Sequence, residues 1–382
     1  MKLFSVSNGF TGTTLPLLSA LSRMGNQVDA YYFVEPFSTE IESLNFSGVG
    51  LIKIVQLPLK NRVYKYLPKT VSIFLVPLPR IIGRLEKWHL GFPIRAIRRF
   101  QAYRLAKVIS KKQYDAGNVI VHNDADKAVL DELNKLSIPI TITHHEVLND
   151  LKGKKILKPI IADTLLKSND VIVHSEKTKA DIIEMMPTVD KSKLHTIYFG
   201  PFESYTSYLD EVSPNPYGDY ILFLGYLKPY KGVKYLYEAV KQMGDLRKYN
   251  FVVAGNGYDE YVEKMKADND FIVINRYIHN PELVSLISQA KAIVCPYTNT
   301  SQSGLPQTAM VFKVPIIASN IGAFPEVIED GVNGLLVEPS NSEALVKAFF
   351  KVQTGYSFKT KEIPPKLNWD YIASQHIDLY TK

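Results

Sequence analysis

A chain of 382 residues exceeds what one hydrophobic core usually holds, so it reads as two domains. An apolar share of 46% is that of an ordinary soluble fold and excludes broad disorder. A lone cysteine, Cys295, excludes an internal disulfide and a cysteine-built zinc site and points to a reducing compartment, while the net charge of +7 leaves anionic partners open.

Residues 2–6 are apolar and predict a strand that follows the first residue directly, with no separate signal segment. The loop Ser7-Asn8-Gly9-Phe10-Thr11-Gly12-Thr13-Thr14 comes next. Leu15, Leu18, Leu21 and Met24 then recur at helical spacing until Gly25 closes the helix. Gly9 to Gly12 stands where a phosphate or acceptor lip would lie. It lacks the third glycine and downstream acid of a dinucleotide fingerprint, and it reads equally as a plain turn. Further strands are predicted at 28–33, 118–121, 138–143 and 171–173. Strands alternating with helices imply parallel sheets covered on both faces.

Residues 60–112 hold fourteen Lys and Arg against Glu86 alone, a local +13 that leaves −6 for the remainder. Tyr64, Tyr66, Phe74, Trp88, Phe92, Phe100 and Tyr103 are interleaved with the charges. Two readings stand level: a solvated basic helix packed on its own domain, or a contact with an anionic membrane surface or lipid-phosphate. No recognition motif for nucleic acid accompanies the charge. Residues 71–79 are apolar but too short, and too interrupted by proline, to span a bilayer.

His144-His145-Glu146 ends the 138–143 strand. A polar triplet at a strand C-terminus falls where α/β folds bind ligands, and His145 is placed to donate to a sugar hydroxyl or phosphate oxygen, with Glu146 orienting it. A surface polar turn is the plainer alternative. His122-Asn123-Asp124 ends another strand and is a weaker candidate for the same region. No other His, Cys or acid is spaced to complete a metal site.

After a linker-like stretch at 207–218, a second series begins: strands at 220–224, 251–254, 271–274, 291–295 and 314–318, and a helix at 234–243. Gly225-Tyr226-Leu227-Lys228-Pro229-Tyr230-Lys231-Gly232 links the first strand to that helix. Lys231 is a mobile point charge suited to phosphate, with Lys228 as a second, although the spacing is not a P-loop and equally fits solvated lysines on a turn. Gly255-Asn256-Gly257 has the residues that any strand-end turn needs. Ser301-Gln302-Ser303-Gly304-Leu305-Pro306 lies between a buried strand and an amphipathic helix and predicts backbone amides aimed at an anion. Glu326 follows the 314–318 strand and reads either as a ligand-facing acid or as a helix N-terminal acid.

In order, these segments resemble the GT-B glycosyltransferases of family 4, the retaining enzymes that use nucleotide-diphosphate sugars. The resemblance is strongest over about 221–339 and includes Gly225 to Gly232, Val252-Val253-Ala254-Gly255-Asn256-Gly257, Gly322-Ala323-Phe324-Pro325-Glu326 and Gly331-Val332-Asn333-Gly334. Asn368-Trp369-Asp370 opening the last helix fits too, as do His145-Glu146 and His174-Ser175-Glu176 more loosely. Ser-Gln-Ser-Gly resembles a variant subgroup of polysaccharide-assembly enzymes.

The resemblance implies two doubly wound Rossmann-like domains facing across a cleft. Residues 1–205 would bind the acceptor, with 368–382 crossing back, and 206–367 would bind the nucleotide sugar. The family's diphosphate-binding Lys matches Lys231; its Arg position is Tyr226, with Lys228 as a substitute. Its two glutamates fall at Thr300 or Ser301 and at Thr308, so both acids are replaced. Implied donor contacts are Gly12, Gly225, Tyr226, Lys228, Gly257, Tyr277, Gln302, Ser303, Gly304, Leu305, Pro306, Thr308 and Glu326; implied catalytic groups are Lys231, His145 and Glu146. The nucleotide-diphosphate sugar is then a co-substrate, with no tightly bound cofactor and no required metal. The acceptor would be a glycan or lipid-linked precursor, met in the cytoplasm or on the inner membrane face. A catalytically weak subunit that binds a partner transferase or glycan is the alternative.

Overall fold

The computed structural model describes residues 1–7, 11–34, 55–56, 69–77, 91–122, 124–145, 147–151, 154–360 and 362–382. The chain divides into two compact units, Met1–Gly200 with Trp369–Lys382, and Pro201–Asn368.

The described residues of the first unit contain ten strands: β1 (Lys2–Ser7), β2 (Gln27–Val34), β3 (Val55–Gln56), β4 (Val71–Pro77), β5 (Ala116–Ile120), β6 (Ile140–His144), β7 (Leu148–Leu151), β8 (Lys154–Leu157), β9 (Asp170–Val173) and β10 (Leu194–Thr196). Eight form one sheet in the order β10-β9-β6-β5-β1-β2-β4-β3, parallel except for β3 against β4, while β7 and β8 pair as an antiparallel hairpin. Its helices are α1 (Thr11–Arg23), α2 (Gly91–Ser110), α3 (Asp124–Leu133), α4 (Pro159–Lys167) and α5 (Glu176–Met185). Leu3, Phe4 and Val6 of β1 are buried, as a central strand covered on both faces requires.

The second unit holds a six-stranded sheet in the order β13-β12-β11-β14-β15-β16, parallel throughout. These strands are β11 (Tyr220–Leu224), β12 (Asn250–Gly255), β13 (Phe271–Asn275), β14 (Ala292–Cys295), β15 (Ile316–Ser319) and β16 (Gly334–Val337). The helices α6 (Val233–Met243), α7 (Glu260–Lys266), α8 (Asn280–Ser288), α9 (Leu305–Val311), α10 (Phe324–Val327) and α11 (Ser342–Gln353) connect them. The closing helix α12 (Trp369–Tyr380) belongs to the first unit, where it packs on α1 and β6.

Both sheets reverse direction beside their first strand, between β1 and β5 and between β11 and β14. In doubly wound folds such a reversal opens a crevice at the C-terminal strand ends.

Two expectations need correcting. Helix α1 starts at Thr11, not Leu15, so Gly12 sits in its first turn and not in a loop. Residues 203–211 of the stretch adjoining the expected linker form a 3₁₀ helix against α8, with Tyr208 buried and its hydroxyl 3.2 Å from Asn280 Nδ2. Residues 71–77 of the apolar run form β4, paired with β2 along seven residues. Within the basic region, α2 buries Ala102, Leu105 and Ile109 and exposes Phe100 and Tyr103, over which Arg104 and Lys107 lie. Most of the remaining basic positions, including Arg80 and Arg84, lie outside the described residues. No helix among the described residues is long and apolar enough to cross a membrane.

Candidate donor site at the switch point of the second unit

Parallel pairing brings the loops after β11, β12, β13, β14 and β15 to one edge of the second sheet. The sequence-derived donor residues Gly225, Tyr226, Lys228, Gly257, Tyr277, Gln302 to Pro306 and Glu326 all stand on these loops or the helix starts that follow them. What separates them is packing.

The loops after β11 and β12 lie flush. Gly225 N donates to the Ala254 carbonyl at 3.0 Å, and Leu227 N to that of Asn256 at 3.1 Å. A Cβ on Gly255 would sit 1.7 Å from the Gly225 carbonyl oxygen, and one on Gly257 2.5 Å from that of Leu227. These glycines are therefore needed for loop-on-loop packing, whatever they contact besides. Tyr226 is 63% exposed, with Lys228 Nζ 5.4 Å from its ring centre; Tyr277 is also exposed and packs edgewise on His279.

Across the reversal, the loops after β11 and β14 interlock. Gly232 takes a left-handed conformation (φ 72°) between a 3₁₀ turn at Pro229–Lys231 and α6. A Cβ there would fall 1.7 Å from the Pro296 carbonyl oxygen, so only glycine lets the strands approach this closely. Thr298 N donates to the Tyr230 carbonyl at 2.9 Å. The seat so made holds Lys231, whose Nζ lies 3.7 Å from the Tyr297 ring centre and 5.2 Å from that of Tyr230. Burial lowers the Lys231 ammonium to a pKa of about 8; the neighbouring Cys295 opposes this shift and Lys228 adds to it. Cys295 itself is pushed up to about 12 by burial, so its thiol stays protonated.

Tyr297 is buried, and burial raises its hydroxyl well above the ordinary phenol range, with the side chains of Ser303 and Cys295 beside it. The loop from Thr300 onward is then closed by short bonds: Thr300 Oγ1 to the Gln302 carbonyl, and Ala323 N to the Ser301 carbonyl, at 2.9 and 3.0 Å. Thr308 is buried with its hydroxyl 2.9 Å from the Gly304 carbonyl oxygen, inside the turn it belongs to. Helix α9 spans only seven residues, so its end contributes little dipole and the loop amides would carry most of any anion contact. Glu326 is half-buried on the four-residue α10.

In the first unit, His145 is buried with its ring centre 4.4 Å from that of His174. Burial, reinforced by the neighbouring histidines, holds His145 well below the usual imidazole range, so it is neutral. His174 donates through Nδ1 to the Ile197 carbonyl, 2.7 Å away, so Nδ1 carries the proton. Both rings line a small cavity of about 20 Å³ whose mostly apolar wall also carries the polar groups of Ser5, Thr13, Asn118 and Thr143, room for a water or a single hydroxyl group. Glu146 and Asn123 lie outside the described residues, and Gly12 stands in the first turn of α1, next to the lining residue Thr13. No group of three or more His, Cys, Asp or Glu side chains among the described residues could hold a metal ion.

Residues 218–354 match the family model described as "Glycosyl transferases group 1". A Klebsiella pneumoniae protein, an uncharacterized 41.2 kDa protein in the cps region, is 31% identical over 33% of this chain and 35% of its own length. An uncharacterized glycosyltransferase of Methanocaldococcus jannaschii is 26% identical over 62% of this chain and 66% of its own. The chain thus spans about a third to two thirds of the curated relatives it matches. Among solved structures, the α,α-trehalose-phosphate synthase (UDP-forming) of Burkholderia xenovorans, with glucose-6-phosphate, superposes over all of both chains with TM-score 0.66 at 11% identity. The fold is GT-B. At such identities the likeness carries the fold, and the site must be argued from its own residues.

Tyr297 and His174 were missed as site residues from sequence. Tyr297 follows Cys295-Pro296, just past the strand predicted at 291–295, and β14 does end at Cys295. The proline before it was the available signal, since a residue preceding a proline is a frequent element boundary. His174 enters the sequence reading only through the loose resemblance of His174-Ser175-Glu176, and the sheet order brings it beside His145.

Proposed function

We propose that the protein is a glycosyltransferase that moves a sugar from a nucleotide-diphosphate sugar, with retained anomeric configuration, onto a lipid-linked or polysaccharide-precursor acceptor. The observation that carries this reading is the Lys231 ammonium: partly desolvated, without a carboxylate partner among the described residues, and seated at the switch point of a Rossmann-ordered sheet. A cation so placed is suited to a diphosphate. The family-model match over the same residues supports that ligand, as does the UDP-forming enzyme of the same fold.

In this reading the second unit binds the donor and the first binds the acceptor. The bond between the anomeric carbon and the β-phosphate oxygen breaks as the acceptor oxygen bonds to that carbon on the same face. The acceptor's proton passes to the departing phosphate. Negative charge grows on the diphosphate, and Lys231, Lys228 and the amides of the 302–305 loop stabilise it. Tyr226 replaces the guanidinium of the resembling family, so Lys231 carries more of that duty here. Neutral His145 is suited to a hydrogen bond with a sugar hydroxyl. The basic, aromatic-bearing α2 fits an anionic lipid carrier, and the Klebsiella relative's cps-region origin agrees with a polysaccharide precursor.

The test incubates purified protein with a panel of nucleotide sugars, with and without a lipid extract containing acceptor, and measures nucleotide diphosphate release. Donor-specific, acceptor-stimulated release is expected. Absence of release together with absence of any donor-induced thermal shift overturns the reading. Flotation with liposomes of graded anionic lipid content checks the membrane contact, and recovery independent of that content rejects it.

A further inference from the structure

A lysine at a catalytic edge poses a mechanical problem. Its stem has four rotatable carbons and its ammonium is a point charge, so an unrestrained Lys231 would spread over many rotamers and lose entropy on meeting a diphosphate. Charged residues are commonly fixed by a carboxylate, yet none among the described residues is within ion-pair distance of Lys231.

What it meets instead is an aromatic face. Nζ stands 3.7 Å from the centre of the Tyr297 ring, well inside the range of cation–π attraction. That ring is itself immobilised. It is 2% exposed, has Ser303 beside its hydroxyl, and packs at 5.3 Å between centroids on Phe324, whose neighbour Ala323 binds the Ser301 carbonyl through its backbone N–H. Its backbone is pinned by the Gly232–Pro296 contact on one side and the Thr298–Tyr230 hydrogen bond on the other. An ordinary core tyrosine needs a partner for its hydroxyl, but it has no need of a cation on its face.

We propose that Tyr297 is the positioning residue for Lys231. The ring face seats the ammonium, and the hydroxyl, through Ser303, fixes that seat to the 301–306 loop. The cation and the loop amides are thereby held as one piece, and a ligand that orders the loop also orders Lys231. The functional consequence rests on the donor-binding reading above; the seat itself does not.

Two measurements on the full-length protein separate these. Lysines are first methylated with ¹³C-formaldehyde, which preserves their charge, and the Lys231 signal is identified by its loss in Lys231→Arg. Tyr297→Phe keeps the ring but not the hydroxyl and should behave as Ser303→Ala does, whereas in wild type the ring current of Tyr297 should move that signal away from the other lysine signals. In Tyr297→Leu it should fall among them. In Ser303→Ala the signal should broaden or shift partway, and this variant leaves the core intact should Tyr297→Leu fail to fold. An unshifted Lys231 signal in wild type, or a shift indifferent to both Tyr297→Leu and Ser303→Ala, overturns the proposal.

The second measurement is calorimetric titration with UDP, GDP and ADP. Tyr297→Leu should weaken binding of the preferred nucleotide about tenfold in the wild-type background and have no further effect in Lys231→Ala, because it acts through that ammonium. Equal losses in both backgrounds would make Tyr297 a merely structural residue and reject its positioning role. If wild type binds none of the three, the donor reading fails, and the methyl signals alone decide the seat.

Discussion

The two units share a sheet plan and bury opposite chemistry beneath it. Under the strand ends of the first lie imidazoles and hydroxyls: His144, His145, His174 and His376 are all buried and all held below the ordinary imidazole range by that burial. Under those of the second lie an ammonium, a phenol and a thiol, in Lys231, Tyr297 and Cys295. Neutral imidazoles offer one donor and one acceptor without charge, which suits hydroxyl-rich ligands. A desolvated ammonium suits phosphate oxygens. One topology is thus equipped for two kinds of ligand by a handful of side chains at its switch points.

The contrast predicts its largest effect under acid. His144 and His174 are lowered to about 4 and His376 to about 3, against about 6.5 in an unfolded chain. Their folded pKa values are depressed, so the unfolded state takes up protons first. The stability they contribute is complete above pH 6.5 and is lost as pH falls toward 4 and below, roughly 3 kcal/mol each for His144 and His174 and roughly 5 kcal/mol for His376 at the acid end. The second unit has no buried histidine among its described residues; its only one there, His279, is exposed. Hydrogen exchange read peptide by peptide at pH 7 and pH 5, corrected for intrinsic rate, should therefore show β6, β9 and α12 losing protection before β11, β12 and β14. Simultaneous loss would break the comparison.

Next in size is Lys231→Ala. If that ammonium stabilises the leaving diphosphate, turnover should fall by about 100-fold or more, close to 3 kcal/mol of transition-state stabilisation. Melting of the protein should barely change, since the side chain pairs with no carboxylate among the described residues. Near-normal turnover would remove Lys231 from the chemistry. The same group gives a pH signature: the free ammonium at about 8 loses its charge as pH rises through that value, so diphosphate affinity should decline between pH 7.5 and 9 in wild type and be flat in Lys231→Ala.

Much of this was legible in the sequence, and the exceptions have physical causes. The buried runs Tyr220-Ile221-Leu222-Phe223-Leu224 and Phe251-Val252-Val253-Ala254 announce central parallel strands because both faces must be apolar. Lys231 was legible through its match to the diphosphate-binding lysine of the resembling family, since its spacing alone fits solvated lysines on a turn equally well. Its seat was not, since Tyr297 lies 66 positions away and meets Lys231 only through the β11–β14 pairing. The histidine cavity was hidden for the same reason: β6 and β9 contribute His145 and His174, and α12 adds His376. The start of α1 was misplaced because Thr11-Gly12-Thr13-Thr14 has the composition of a turn, and tertiary packing overrides that weak local preference.

Smaller effects separate two glycines with the same backbone need. Gly25 (φ 86°) in the first unit has nothing within 4 Å of where a Cβ would stand, so Gly25→Ala should cost about 1 kcal/mol, the strain of the left-handed conformation alone. Gly232 (φ 72°) adds the Pro296 carbonyl, so Gly232→Ala should cost about 2 kcal/mol or more. Because the displaced backbone carries Lys231 and leads into Tyr297, activity should fall further than stability does. Thermal melts paired with turnover for both variants check this, and equal stability losses would show that the loops after β11 and β14 yield easily.

The smallest effect concerns how α12 is held to the first unit. Arg23 and Asp370 pair at 2.6 Å between α1 and α12, yet the two side chains are 47% and 61% exposed. Solvent screens such a pair and fixing two long side chains has an entropic cost, so Asp370→Asn should destabilise by less than about 1 kcal/mol, shrinking in high salt. The helix is held chiefly by Trp369, Ile372, Ala373 and His376, which are buried. Ile372→Ala should therefore cost about 2–4 kcal/mol and exceed Asp370→Asn at every salt concentration. A larger loss from the charge change than from the apolar one would mean that α12 is fastened by its surface, and the first unit's buried face would lose its claim to organise the chain's last helix.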